Sequence, residues 1–134
     1  MLQFTKETDY GFQLIIALSK LKDGQVLSLR KFSEASKISF LFLQKVARKL
    51  READLVKSNQ GAQGGYSLNK PLGKISLKEV LEAIDGECAV SSCLRSGREC
   101  RCVKEGECDV KKIFCKINEN FVNYLEKVKL GDCV

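Results

Sequence analysis

The chain contains no histidine. That absence removes the commonest general base, the commonest nitrogen ligand for metals and the usual switch near neutral pH. Ser–His–Asp triads and Cys/His zinc fingers go with it. No side chain is assigned a catalytic role, and the sequence does not read as an enzyme. No apolar run approaches the roughly 18–20 residues of a membrane span, which excludes an integral membrane protein and leaves no membrane partner to expect. Met1-Leu2-Gln3-Phe4-Thr5-Lys6-Glu7 puts charges where a secretion signal is apolar, so a cytoplasmic protein is expected. There is a single proline, and no internal repeat, low-complexity tract or flexible linker. Residues 1–134 therefore read as one cooperative unit.

The formal net charge is +6, but it is unevenly spread. Residues 25–74 carry ten Lys/Arg against three acids, whereas residues 87–134 carry nine against eight. A basic middle and a balanced tail suggest a polyanion met by one face. A merely solvated charged surface is the plainer alternative.

Helical periodicity opens the chain. Tyr10, Leu14, Ile15, Leu18 and Leu21 share one apolar face, and Asp23-Gly24 is expected to stop the run. Ser28 suits the cap of a short second helix with Leu29, Phe32 and Ala35 inward. After a break at Ser36-Lys37-Ile38, Ser39 suits the cap of a third helix with Phe40, Leu43, Ala47 and Leu50 inward. Its outer face shows Gln44, Lys45, Arg48, Lys49 and Arg51. Leu41, near its start, is expected to pack rather than to meet a thymine methyl group. Two short helices joined tightly, the second polar and basic outside, read as a helix-turn-helix.

Leu55-Val56-Lys57 and Tyr66-Ser67-Leu68 read as two short strands around Ser58-Asn59-Gln60-Gly61-Ala62-Gln63-Gly64-Gly65. Three glycines in that loop permit positive φ and close approach to a partner. The expected fold class is therefore mainly α: a winged helix-turn-helix with a small two-stranded wing, closed by Pro71. Ser76 and Glu79 have the spacing of a capping box, with Ile75 and Val80 as a hydrophobic staple, for a helix running to Gly86. Val110, Ile113, Phe114, Ile117, Phe121, Tyr124, Leu125 and Val128 repeat at three and four residues, giving a long C-terminal helix. So large an apolar stripe suits a homodimer seam, with Ile113, Ile117, Phe121, Tyr124 and Val128 buried against the partner. The expected organisation is a DNA-binding winged helix over 1–86, a cysteine-rich loop over 87–109, and a dimerisation helix and tail over 110–134.

For DNA contact the candidates are Ser39, Gln44, Lys45 and Arg48 on the third helix, and Lys57, Ser58, Gln60 and Gln63 on the wing. Gln44 can pair bidentately with adenine, Lys45 and Arg48 suit guanine edges or phosphates, and Lys57 suits a phosphate. The expected partner is double-stranded DNA carrying a palindromic operator.

Cysteine is the residue in excess. Cys88, Cys93, Cys100, Cys102, Cys108 and Cys115 lie within 28 residues, and Cys133 stands apart. An odd count without a secretion signal argues against a disulfide framework. No Cys-x-x-Cys pair exists to serve structural zinc. Clustered reduced thiols suit metal ligation, as in an iron–sulfur cluster, or redox sensing.

Thr8-Asp9-Tyr10-Gly11, the wing Gly61-Ala62-Gln63-Gly64-Gly65-Tyr66-Ser67-Leu68, Val80-Leu81-Glu82-Ala83-Ile84-Asp85 and Leu130-Gly131-Asp132 resemble the Rrf-two family of small bacterial regulators, of the IscR, NsrR and RirA type. The resemblance covers essentially the whole chain. It implies a homodimeric winged-helix transcription factor whose iron–sulfur members use three cysteines before the dimerisation helix. The fourth ligand in such members is a histidine, or an aspartate from the partner's first helix. Carried onto this sequence, that implies Cys93, Cys102 and Cys108 from one chain, with Cys100 as an alternate to Cys102, and Asp9 from the other. Lys111 stands near the histidine position. Many members carry arginine where this chain has Gln60, which weakens minor-groove insertion there. A 4Fe–4S cluster is expected, with 2Fe–2S as the alternative. The expected function is a DNA-binding regulator sensing redox state, nitric oxide or iron–sulfur status. The alternative is a metal-free thiol–disulfide sensor using Cys100 with Cys102 or Cys88 with Cys93. A small iron–sulfur electron carrier leaves the basic segment and the wing without a role.

Overall fold

The computed structural model describes residues 3–95 and 107–134. The first helix, α1 (Lys6–Ser19), starts where the Thr5 hydroxyl accepts from the Thr8 N–H. It buries Thr8, Gly11, Leu14, Ile15 and Leu18. The helix ends earlier than expected from the Asp23-Gly24 stop. Lys20 already closes it, and the Ser19 hydroxyl turns back to the Ile16 carbonyl at 2.6 Å. Tyr10 is half-buried and stacks edge-on against Phe42, with ring centroids 5.2 Å apart.

The helix-turn-helix follows as α2 (Leu29–Ser36) and α3 (Phe40–Glu52). Ser28 caps α2 by accepting from the Lys31 N–H. Lys37 takes a left-handed φ of 64° between the helices, and the Ser33 hydroxyl holds the Ile38 carbonyl. Leu43, Val46, Ala47 and Leu50 form the buried stripe of α3. The Arg30 guanidinium lies 4.5 Å from the Phe40 ring and ties the two helices outside the core. Ala35 was expected inward but is exposed, because an eight-residue helix buries only Leu29.

The wing is an antiparallel pair, β1 (Val56–Asn59) and β2 (Gly65–Leu68), in register from Val56↔Leu68 to Asn59↔Gly65. Leu27 exchanges two backbone hydrogen bonds with Tyr66, at 2.8 and 2.9 Å, and so docks the wing against the entry to α2. Gly65 permits that approach, since a Cβ there would stand 2.5 Å from the Leu27 carbonyl oxygen. Gly61 turns the wing tip at φ +117°.

Pro71 leads into a single turn over Leu72–Lys74, and then α4 (Leu77–Asp85) begins. Ser76 and Glu79 form the reciprocal capping box, and Ile75 and Val80 beside it are fully buried. A second short turn, Ser92–Leu94, precedes the long α5 (Asp109–Lys127) and the short α6 (Leu130–Cys133). The tail folds back onto the winged helix. The Leu77 N–H donates to the Val128 carbonyl at 3.0 Å, and the Leu130 N–H to the Ile75 carbonyl at 2.9 Å. Leu130 joins Leu14, Ile15, Leu50, Ile75 and Val80 in one core. Each such fully buried aliphatic side chain contributes about 1.5–3 kcal/mol.

Among the described residues, α5 buries only Leu125. Phe114 and Phe121 are half-buried. Ile113 (59% exposed), Ile117 (48%) and Tyr124 (62%) stand uncovered along one side.

Candidate nucleic-acid interface and cysteine site

The open side of α3 carries Ser39, Gln44, Lys45 and Arg48, all exposed. Ser39 occupies the cap position, but its side chain makes no cap hydrogen bond. Leu41 is 75% exposed, which corrects the expectation that it packs. It lies at the first turn of α3, on the side away from Leu43 and Ala47, where no described element covers it. Lys57 is exposed on β1, and Gln60 and Gln63 are exposed at the wing tip. Ser58 is half-buried, its hydroxyl 3.5 Å from an Arg51 guanidinium nitrogen. Arg48 and Lys57 make no ion pair among the described residues.

Two lysines of α3 are engaged by α1. Glu7 places one carboxylate oxygen 2.6 Å from Lys45 Nζ and the other 2.6 Å from Lys49 Nζ. Hydrogen bonds from Lys45 and then Lys49 hold the Glu7 carboxyl below its ordinary value. Lys49 also donates to the Ile84 carbonyl at 2.9 Å. It is therefore half-buried against α1 and α4 instead of facing outward as its spacing suggested. Glu7 was missed by sequence reasoning. It stands 38 residues before Lys45, and no local pattern joins the two.

The cysteine segment begins where α4 stops. An open groove between α4 and α5 is lined in part by Phe4, Leu81, Cys88, Val90, Phe114 and Phe121. The Val90 N–H donates to the Asn118 side-chain oxygen at 2.9 Å, fixing the start of the segment on α5. Cys93 sits in the Ser92–Leu94 turn, half-buried, with Sγ 3.2 Å from the Ser91 hydroxyl. Cys108 holds the cap position of α5, half-buried and without a side-chain cap hydrogen bond. Cys88, Cys93, Cys108, Cys115 and Cys133 are all free thiols. Burial, and then the Glu82 carboxylate, push the Cys88 thiol above its ordinary value, which disfavours its thiolate. Cys100 and Cys102 lie outside the described residues. Asp9 is exposed on α1 and accepts from the Gln13 amide at 3.2 Å. Among the described residues, no group of three Cys, Asp or Glu side chains comes together as a metal site.

A helix-turn-helix, a glycine-turned wing docked on its entry, and an open basic face on its second helix define a winged-helix DNA-binding protein. The Rrf2 family, described as iron-dependent transcriptional regulator, matches residues 4–134, and the chain belongs to it. It is 26% identical over 129 residues to the HTH-type transcriptional regulator NsrR of Oceanobacillus iheyensis, covering 96% of this chain and 87% of that one. Its fold is similar to that of CymR, the global cysteine regulator of B. subtilis. There the TM-score is 0.76 at 23% identity, over 99% of this chain and 96% of the other. IscR of T. potens is similar with a TM-score of 0.70 at 23% identity, over 98% and 85%. The protein is thus a transcriptional regulator of the Rrf2 family, and its relatives are regulators rather than enzymes. No helix among the described residues is long and apolar enough to cross a membrane.

Proposed function

We propose that the protein is a homodimer that reads a palindromic operator in the cytoplasm, and that an iron–sulfur cluster sets its affinity for DNA. The observation that carries the DNA half is the uncovered side of α3. Leu41, Gln44, Lys45 and Arg48 are exposed there, as are Lys57, Gln60 and Gln63 of the wing, and of the four on α3 Lys45 is held at its tip by Glu7 of α1. Gln44 reads a base edge, Leu41 meets a thymine methyl group, and Arg48 takes a guanine edge or a phosphate. Lys57 takes a phosphate. The uncovered Ile113, Ile117 and Tyr124 of α5 support pairing through that helix.

The donor set suits a cluster in its chemistry. Cys93 and Cys108 are free, partly accessible thiols on either side of the segment that contains Cys102. No histidine competes for the fourth position. Cys102 of the same chain and the partner's Asp9 complete the proposed set, with Cys100 as alternate to Cys102. A bound cluster, 4Fe–4S or 2Fe–2S, supplies irons that respond to redox state, nitric oxide or iron supply. The thiol–disulfide alternative is weakened for the Cys88–Cys93 pair, because burial and then Glu82 push the Cys88 thiol upward and disfavour its thiolate.

Selection of bound sequences from random duplex DNA tests the reading. Wild type should enrich a palindrome with half-sites about one helical turn apart. Gln44→Ala should change base preference at one position of each half-site, at roughly 1–3 kcal/mol. Lys57→Ala should weaken every duplex alike and flatten the salt dependence. Uniform losses with Gln44→Ala would remove it from the base-reading role.

A further inference from the structure

We infer that Glu7 limits the grip of α3 on DNA by holding Lys45 in an ion pair that a phosphate must displace. The inference rests on the DNA-facing side of α3 proposed above. The two lysines that Glu7 engages are not equivalent. Lys49 is held twice, by Glu7 at 2.6 Å and by the Ile84 carbonyl at 2.9 Å, and its side chain is mostly covered. Among the described residues, Lys45 has Glu7 as its one hydrogen-bond partner, with the Phe42 ring 5.9 Å from its Nζ, and its side chain is half exposed. Lys49 is therefore a fixture between helices, and Lys45 is a cation parked at the edge of the DNA-facing side.

A phosphate and the Glu7 carboxylate compete for the same ammonium group. Exposed ion pairs of this kind shift equilibria by about 1.5- to 5-fold, small enough for the contact to be exchanged on binding. Glu7 thus makes Lys45 a conditional DNA contact, while the adjacent Arg48, which has no such partner among the described residues, is available outright. Removing the carboxylate should strengthen binding to any sequence, since the gain is a phosphate contact that carries no base information.

The test is a fluorescence-anisotropy titration of a random-sequence duplex between roughly 50 and 200 mM salt. Full-length wild type, Glu7→Gln, Lys45→Ala and the double variant are compared, with thermal unfolding recorded for each. Glu7→Gln should bind about 1.5- to 5-fold tighter across the salt range. Lys45→Ala should weaken binding, and the double variant should match Lys45→Ala. If Lys45→Ala binds like wild type, the placement of Lys45 on the DNA side fails and the inference falls with it. If Lys45→Ala weakens binding but Glu7→Gln brings no gain, or its gain survives without Lys45, the DNA side stands and the inference alone is overturned. Should Glu7→Gln not fold, NMR of the wild-type Lys45 side-chain ammonium group decides: its signal should shift when the random duplex is bound, and an unchanged signal overturns the inference.

Discussion

The Thr8 hydroxyl donates to the Asp85 carboxylate, tying the first turn of α1 to the last residue of α4. Thr8 is fully buried, and the Thr5 hydroxyl reaches the same carboxylate at 3.1 Å. Three successive residues of α1 thereby serve three directions: Glu7 holds α3, Thr8 holds α4, and Asp9 points to solvent. The clamp lies where α4 hands over to the cysteine segment. Thr8→Val keeps the shape and removes one donor to an exposed carboxylate that Thr5 also reaches, at a cost of about 0.5–1.5 kcal/mol. Chemical denaturation should show that loss, and Thr8→Ser should recover most of it. An unchanged unfolding midpoint for Thr8→Val would show that the contact does not stabilise the fold.

Leu41 gives a second expectation, because an apolar side chain left 75% exposed at the start of a recognition helix has a methyl group as its natural DNA partner. Replacing one operator thymine by deoxyuridine deletes that methyl group alone. Wild type should lose affinity at one thymine in each half-site, and Leu41→Ala should be indifferent to the same change. Equal sensitivity in both proteins would place Leu41 away from the bases.

For the proposed dimer seam, Ile113→Asp with Ile117→Asp puts two charges in place of side chains that the described residues leave exposed. The fold should therefore survive while pairing fails, at a cost of several kcal/mol to association. Sedimentation should find a folded monomer with weak DNA binding. A stable dimer would move the seam off this side of α5.

Acid should weaken the fold through two carboxylates. Hydrogen bonds from Lys45, then Lys49, hold Glu7 below the ordinary 4.5. For Glu79, burial pushes upward, but Lys70 and the Ser76 backbone outweigh it and the net direction is also down. A carboxyl whose folded value lies below its unfolded one stabilises fully above the unfolded value. That stability is lost as pH falls through the folded value. Urea unfolding midpoints should therefore drop below about pH 4.5, and Glu79→Gln should show a shallower drop. Identical slopes in the two proteins would remove Glu79 from the acid response.

What the sequence made legible was local. The Ser76–Glu79 capping box is a three-residue spacing, and the wing announces itself by glycines between two short apolar runs. The long-range contacts left no such trace. Glu7 meets Lys45 and Lys49 from 38 and 42 residues away. Leu27 pairs with Tyr66 through backbone groups alone, which impose no side-chain pattern to read. Leu130 returns to Ile75 in the same way, which sews the tail to the winged helix. Periodicity also read Lys49 as outward, since it cannot tell a solvated cation from one drawn inward by a carboxylate and a carbonyl. The cysteine site was legible as residue type, with Cys93 and Cys108 placed here and Cys100 and Cys102 outside the described residues.

The most direct test is an anaerobic DNA titration of one preparation, before and after removal of bound iron with a chelator, with the absorption near ~400 nm recorded throughout. The freshly purified protein should be brown and lose its colour with its iron. The two forms should then differ in operator affinity by about 5- to 150-fold, the usual range for coupled sites. Cys93→Ala and Cys108→Ala should be colourless and bind DNA as the iron-free form does, and Asp9→Ala should keep a less stable colour. A colourless wild type, or equal affinities with and without iron, would contradict cluster control of DNA binding.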